Sequence, residues 1–588
     1  MNQTSDHTRL VSPLVYTSVS PSGTESTFTR STIKHEDSPP KKKQKRNKPT
    51  LSCEECVERK TKCDRGRSNC TACVKRQTEC IYTTIANVLE DTGRSGRNAR
   101  TRIKKLPKKK ALSNGFEGPR QSSNPQELGV HQGPTSSTIG LLSNVPYSHP
   151  SASNVFGIGS EHPFANYWTW QGGLSETITV LPDKSQADML LERYFECVDP
   201  VYPMIHRQTF YADFEHFWSL PPAEKERADA ALVALIFTIL AMGTQFITVT
   251  GPKERQQTAE FYASAAHQSL RMSSYLNKAS VRSMQAMVLI TYFLINDNHA
   301  SDGWSFAGIL IRQAYAMGLH RDPNIVCPNA SIFDKQVRRK LWQAVLLQDT
   351  FLTVLLSLPP SATHTDVNVD DLTDDSNDIA ATNPTDTSYI RGCWYLANLV
   401  QETICSPRSL DLPISNSPRQ KAKTLTSFRT VFRTLPPIFR AWTPTSLALL
   451  AQTNKRIVLQ TLFLTSNYYH NVMLLHSSGS PNVPIDVKGA LEAAHEAIQA
   501  FFLLFEIFEA EAKVWWVFNH RAFLESMCIG NILREEERKG GDEVGTDPLF
   551  VMGKADILRM IEIMRLMGQG ENGSAIALTR VSVLSTYL

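Results

Sequence analysis

Six cysteines fall between positions 53 and 80, spaced C-x2-C-x6-C-x6-C-x2-C-x6-C: Cys53, Cys56, Cys63, Cys70, Cys73 and Cys80. The chain has 11 cysteines, so only five are shared by the rest of its 588 residues. The window is nearly an internal repeat, CEECVERKTKC against CTACVKRQTEC, each half reading C-x2-C-V-x-R-x-x-x-C. Two thiols within one helical turn can face the same ion, and the third returns from the loop behind the helix. Zinc prefers four tetrahedral ligands, so three thiolates per half leave each ion one short; sharing one cysteine from each half closes both shells. The spacing therefore predicts two zinc ions on six thiolates. A one-zinc finger would leave two thiols idle, and no histidine lies in the window for a Cys2His2 site.

A disulfide reading needs an oxidising compartment, and the polar start MNQTSDHTRL offers no apolar leader segment. The most hydrophobic run, Ala230 to Gly243, has 14 residues, which is short for a membrane span and suits a buried helix. Charge is distributed unevenly. Between Lys41 and Lys110, 22 Lys/Arg stand against 7 Asp/Glu, on a chain whose net charge is only +5. A basic block this local is the footprint of a polyanion partner, double-stranded DNA before a membrane surface. Two zinc ions on six thiolates leave a metal core of −2, so the cations between the ligands must outweigh it before DNA can approach. Arg59, Lys60 and Lys62 cluster at the end of an expected short helix from Glu54 to Thr61. Cations on a helix end can enter the major groove and donate to guanine O6 and N7.

These residues resemble the binuclear zinc cluster of fungal zinc-cluster transcription factors, and every cysteine gap falls within that family's pattern. The resemblance implies that Cys53 and Cys70 bridge both ions. Cys56 and Cys63 then complete one zinc, and Cys73 and Cys80 the other. Arg59-Lys60-Thr61-Lys62-Cys63-Asp64 matches the family's basic signature. Base reading thus falls on Lys60, with Arg59 and Lys62 in support, and the implied target is a CGG-type triplet. In the second half, Lys75 and Arg76 are candidate phosphate clamps. Val57 stands where the family carries an arginine, and Ser68 where it carries a proline.

The elements around this window set its context. Lys41, Lys42, Lys43, Lys45 and Arg46 read as a nuclear import signal, which makes an import receptor a partner, or as an electrostatic arm. Arg94 to Lys110 carries nine cations and no acid. The expected organisation is a disordered tail over 1–40, a basic arm over 41–50 and a zinc-cluster DNA-binding domain over 51–82. A basic, then Ser/Gly/Pro-rich disordered linker follows over 83–180, and an all-α domain over 181–588. After Cys80 the apolar residues Ile81, Ile85, Val88 and Leu89 give about two turns before Gly93 and Gly96, too few for a self-sufficient zipper. Dimerisation through the DNA-binding segment is therefore expected to be weak or absent, with the helical domain as the place for any dimer.

Beyond 181, periodicity predicts helices at 188–197, across Trp304 to Gly318, through Val337, Leu341 and Val345, and at 455–475, 486–509, 513–534 and 550–567. No strand pairs are expected, so the fold class is mostly α. FECVDPVYPMIHRQTF, YAMGLHRDP and VRRKLWQAVLLQDTFLTVLLSLPPS resemble landmarks of the fungal-specific regulatory domain, strongest over 185–375. His320, Arg321, Trp342 and Asp349 invite a catalytic reading, but their spacing supplies no nucleophile and base, so no enzyme activity and no catalytic residue is expected. The acidic stretch Asp366 to Asp378 is a candidate for recruiting coactivators or the transcription machinery, or else a solvated loop. The expected function is nuclear: a sequence-specific transcription regulator of RNA polymerase II genes, in a catabolic or secondary-metabolite setting. The alternative is a nucleic-acid-binding scaffold without transcriptional activity.

Overall fold

The computed structural model describes residues 54–64, 69–81, 164, 168, 172–362, 369, 384–540, 547–569 and 573–588. Cys53, Ser68, Lys41 to Arg46, Arg94 to Lys110 and all of Asp366 to Asp378 but Val369 lie outside them. The chain divides into two compact units, residues 1–118 and 119–588.

In the first unit two short helices, α1 (Glu54–Glu58) and α2 (Thr71–Arg76), flank a core made of cysteine. Cys56, Cys70 and Cys73 are at most 1 % exposed, while the cationic side chains around them face outward.

Among the described residues the second unit is built from helices, and the only β-type pairing is an isolated bridge between Ser480 and Val483. Its centre is built from helices that are apolar on nearly every side. Ala230–Gln245 is buried from Ala231 to Gln245, as a helix hydrophobic all round must be. Asp229 caps its start, accepting from the Ala231 N–H at 3.0 Å. Thr238 and Thr244 hide their hydroxyls by donating to the carbonyls of Ala234 and Leu240. Gly243 lets the Lys184–Cys197 helix cross close by: a Cβ there would stand 2.1 Å from the Leu190 carbonyl oxygen. Val281–Asn296, Lys455–Ser477 and Trp516–Arg538 are likewise buried along most of their length. Among the described residues, no helix is long and apolar enough to cross a membrane.

The helices expected at 188–197, 455–475, 486–509 and 550–567 are present as Lys184–Cys197, Lys455–Ser477, Val487–Ile507 and Pro548–Gly568. The one expected at 513–534 is interrupted. Glu509–Val514 ends at Trp515, which adopts φ −66°, ψ 86°, and Trp516–Arg538 begins after it. Burying the whole Trp515 ring in the core outweighs helix continuity there. The stripe expected on Ala300–Ala316 is rotated: Gly303, Phe306, Ala307, Leu310, Ile311 and Ala314 are buried, while Trp304, Gly308 and Tyr315 sit at its margin. Gly318 does take the left-handed conformation, φ +65°, just past that helix. Packed structure also reaches back into the stretch assigned to the linker. Gly173–Ile178 is a helix with Thr177 fully buried, the Trp168 indole N–H donates to Ser264 Oγ at 2.9 Å, and Phe164 stacks on His267 at 4.0 Å.

Two ion-pair clusters tie distant helices together. Lys455 Nζ lies 2.8 Å from Glu196 and 2.7 Å from Glu511, which also meets Arg193 at 2.9 Å. Next to Lys455 in sequence, Arg456 grips Asp386 with Nε and Nη2, each at 2.8 Å, and reaches Asp199 with Nη1 at 2.7 Å.

Candidate metal centre and nucleic-acid interface

The sequence repeat is also a backbone repeat. α1 ends where Lys60 takes φ +51°, and α2 where Gln77 takes φ +52°; these residues occupy the same position in the two halves. In each half the next N–H folds back onto the second cysteine's carbonyl, Thr61 onto Cys56 at 2.9 Å and Thr78 onto Cys73 at 3.2 Å. A left-handed residue that closes this bond is a common way to stop a helix. It reverses the chain, so that Cys63 comes within 4.8 Å of the Cys70 sulfur and Cys80 within 3.2 Å of the Cys70 N–H. This corrects the expectation of one helix running from Glu54 to Thr61. Arg59 and Lys60 lie in the turn, and Lys62 lies in the extended segment beyond it.

The sulfurs gather around Cys70. Its Sγ is 3.6 Å from that of Cys56, and Cys56 is 4.0 Å from Cys73. A zinc–sulfur bond of about 2.3 Å in a tetrahedron sets ligand sulfurs about 3.8 Å apart, so both separations suit ligands of zinc. Donor atoms of Cys56, Cys70 and Cys73 all lie within 4.8 Å of one another, and so do those of Cys63, Asp64 and Cys70. Cys70 belongs to both groups, as an ion-sharing ligand must. Backbone donors support the sulfurs: Cys73 N–H points to Cys70 Sγ at 3.4 Å, and Cys70 N–H to Cys80 Sγ at 3.2 Å. The donor set, its burial and its spacing fit zinc. Cys56 and Cys73, expected on different ions, stand 4.0 Å apart, 0.4 Å farther than Cys56 and Cys70 at 3.6 Å.

Arg59, Lys60, Lys62, Lys75 and Arg76 are all exposed, on the outside of this sulfur core. Arg59 pairs with Glu55, one turn back on α1. Arg76 donates to Thr61 Oγ1 at 3.1 Å, which ties the end of the second half to the turn of the first.

Sequence reasoning gave Asp64 no role beyond the signature match. Its carboxylate accepts the Thr71 N–H at 3.0 Å and the Thr71 hydroxyl at 2.6 Å, capping α2 across the loop that joins the halves. The signal was there: an acid directly after the third cysteine and a threonine directly after the fourth. Asp64→Ala is expected to weaken this brace by about 0.5–1 kcal/mol, the low end for a cap because the site is solvent-exposed. Chelator competition on the full chain checks this; zinc should be lost a few-fold faster than from the unaltered protein.

Of the residues that invited a catalytic reading, His320, Trp342 and Asp349 are packed into the helical unit. Asp349, buried, accepts the Ser361 N–H at 3.0 Å and the Ala362 N–H at 3.0 Å. Burial pushes its carboxyl up to about 6, against the pull of those backbone donors. His320 packs edge-on to Tyr315 at 4.8 Å and lies 6.0 Å from the buried Trp342 ring. Arg321 is exposed.

Comparison with known proteins agrees with this geometry. Residues 51–87 match the fungal Zn(2)-Cys(6) binuclear cluster domain, and residues 191–406 match the fungal specific transcription factor domain. A cluster domain of this kind binds two zinc ions. The chain is 28 % identical over 203 residues to the transcription factor yanR of Aspergillus niger, covering 32 % of this chain and 25 % of that protein. It is 28 % identical over 188 residues to the Zn(2)-C6 fungal-type transcription factor mpsB of Macrophomina phaseolina, covering 30 % and 24 %. With the acetamidase regulatory protein of Emericella nidulans it shares 26 % over 219 residues, covering 37 % and 25 %. The chain thus spans about a quarter of the length of these curated relatives.

Proposed function

We propose that this chain, which carries both domains characteristic of the fungal zinc-cluster transcription factors, is a sequence-specific DNA-binding regulator of RNA polymerase II genes that acts in the nucleus. The observation that carries the reading is the paired left-handed turn. It folds Cys56, Cys63, Cys70, Cys73 and Cys80 inward onto a shared sulfur core and leaves five cationic side chains facing solvent. Cys53 and Cys70 bridge the two zinc ions; Cys56 and Cys63 complete one shell, Cys73 and Cys80 the other. Lys60 reads the guanines of a CGG-type triplet, while Arg59, Lys62, Lys75 and Arg76 hold the flanking phosphates. Lys41, Lys42, Lys43, Lys45 and Arg46 engage an import receptor, and the helical domain engages coactivators or the transcription machinery. A relative named for regulating an acetamidase supports a catabolic setting, with a secondary-metabolite cluster as the other.

Lys60→Gln tests the reading with little backbone disturbance, because glutamine already occupies the same left-handed position at Gln77. The variant is expected to lose about 1–3 kcal/mol of discrimination between a CGG-containing duplex and a scrambled one. Changing Lys75 should instead weaken both duplexes alike and flatten the salt dependence. Equal loss on both duplexes for Lys60→Gln would remove Lys60 from base reading.

A further inference from the structure

Within the helical unit, a cavity of ≈ 40 Å³ opens between four segments, walled by Tyr202, Tyr292, Gln343, Tyr389, Cys393 and Trp394 among others. Gln343 is 4 % exposed, and neither its amide nitrogen nor its amide oxygen has a hydrogen-bond partner in the protein. A buried donor and a buried acceptor left unpaired are each destabilising, so a residue like this is retained against a steady penalty unless something meets it. The rest of the wall is largely apolar. Tyr202 and Tyr292 stack at 3.6 Å, the Tyr389 hydroxyl is already committed to the Val201 carbonyl at 2.8 Å, and Val288, Leu347 and Ile390 fill in between. The Tyr292 hydroxyl, also without a hydrogen-bond partner in the protein, is a further polar atom on this wall. No acid lines the cavity among the described residues, and its one charged wall residue is Lys340. Burial pushes the Cys393 thiol up to about 12, so it stays neutral.

We propose that this cavity is a binding site for the primary-amide end of a small neutral molecule. An amide offers an acceptor and a donor side by side, the complement of the Gln343 head group. The volume admits about three or four heavy atoms, by comparison with the roughly 10–15 Å³ one water requires. The planar group lies against the tyrosine and tryptophan rings, and the remainder of the ligand extends toward Lys340. A carboxylate fits less well, since it has no proton to give the Gln343 oxygen.

Ligand-observed saturation-transfer NMR on the zinc-loaded full chain tests this, with propionamide as the probe. Saturable binding is expected. N,N-dimethylpropionamide, which cannot donate, should bind at least about tenfold more weakly, and so should propionate, because each leaves one Gln343 atom unpaired. Gln343→Leu should lower propionamide affinity at least about tenfold and, without ligand, raise the melting temperature by removing the unpaired amide. Ala344→Leu, which fills the cavity without touching the amide, should have the same effect on binding, so the test survives if the first variant fails to fold. Lys340→Met should leave propionamide binding within about twofold. The assignment is overturned by the absence of saturation up to about 50 mM propionamide. It is overturned equally by tighter binding of propionate that depends on Lys340, or by binding that both cavity variants leave unchanged.

Discussion

Cys70→Ala is expected to strip both zinc ions from the chain and to reduce binding at the target duplex to the level seen on random DNA. The Cys70 sulfur is the one shared by the two donor groups, 3.6 Å from Cys56 and within 4.8 Å of Cys73 and Cys63. It also accepts the Cys73 N–H that starts α2, and the backbone of the same residue supports Cys80. Removing it opens both coordination shells and uncaps a helix in one step. In domains this small, metal binding supplies the folding energy, of order 10–16 kcal/mol, so the loss is close to all-or-none. Specific binding commonly exceeds non-specific binding by about 10³-fold or more, and that whole margin should disappear. Cys63→Ala, which removes a ligand of one ion only, should retain up to one zinc. Elemental analysis of the purified variants, followed by gel shifts, decides the matter. One zinc per chain retained by Cys70→Ala would mean that Cys70 does not bridge.

What the sequence made legible follows from the range over which each constraint acts. Zinc ligation demands a residue type at fixed short spacing, so six cysteines and their repeat could be read directly. Helices with a clean apolar period were plain in type but not in extent: the one expected at 188–197 starts four residues earlier, at Lys184 behind the Asp183 cap. The exact end of α1 was not plain either. Nothing in Arg59-Lys60-Thr61 is a helix breaker, and the stop is imposed by the need to return Cys63 to the metal. Aligning Lys60 with Gln77 in the repeat shows that both halves share this need. Trp515 escaped for a similar reason, since a tryptophan within a helical period carries no local break signal, and only its burial in the core forces one. Gln343 sits in an ordinary helical register, and the absence of a partner for its amide is a fact of tertiary packing alone.

The least legible contact is the one expected to matter most to the helical unit. Arg456→Met should destabilise that unit by about 3–5 kcal/mol, because the arginine's partners lie 257 and 70 residues away and are left buried without the guanidinium that pairs them. The Asp199 and Asp386 side chains are 6 % and 8 % exposed. Burial works against the Arg456 charge, but Asp199 and then Asp386 outweigh it and hold the guanidinium above its ordinary value. Burial already pushes the Asp199 carboxyl up even with the arginine present. Taking the cation away raises it further, which fixes the sign of the pH dependence. A carboxyl whose folded value lies above its unfolded value, about 3.9, is destabilising when ionised, and that penalty fades as pH falls from the folded value toward the unfolded one. The variant should therefore lie closer to the unaltered protein at about pH 5 than at pH 8. Adding Asp199→Asn and Asp386→Asn to Arg456→Met should recover much of the loss at pH 8, since neutral amides in place of the carboxylates leave no buried charge unpaired. Urea unfolding of the three proteins (unaltered, Arg456→Met and the triple variant) at both pH values checks each step. A single-variant loss below about 1 kcal/mol would show that water reaches the two carboxylates and that Arg456 fixes helix position without neutralising them.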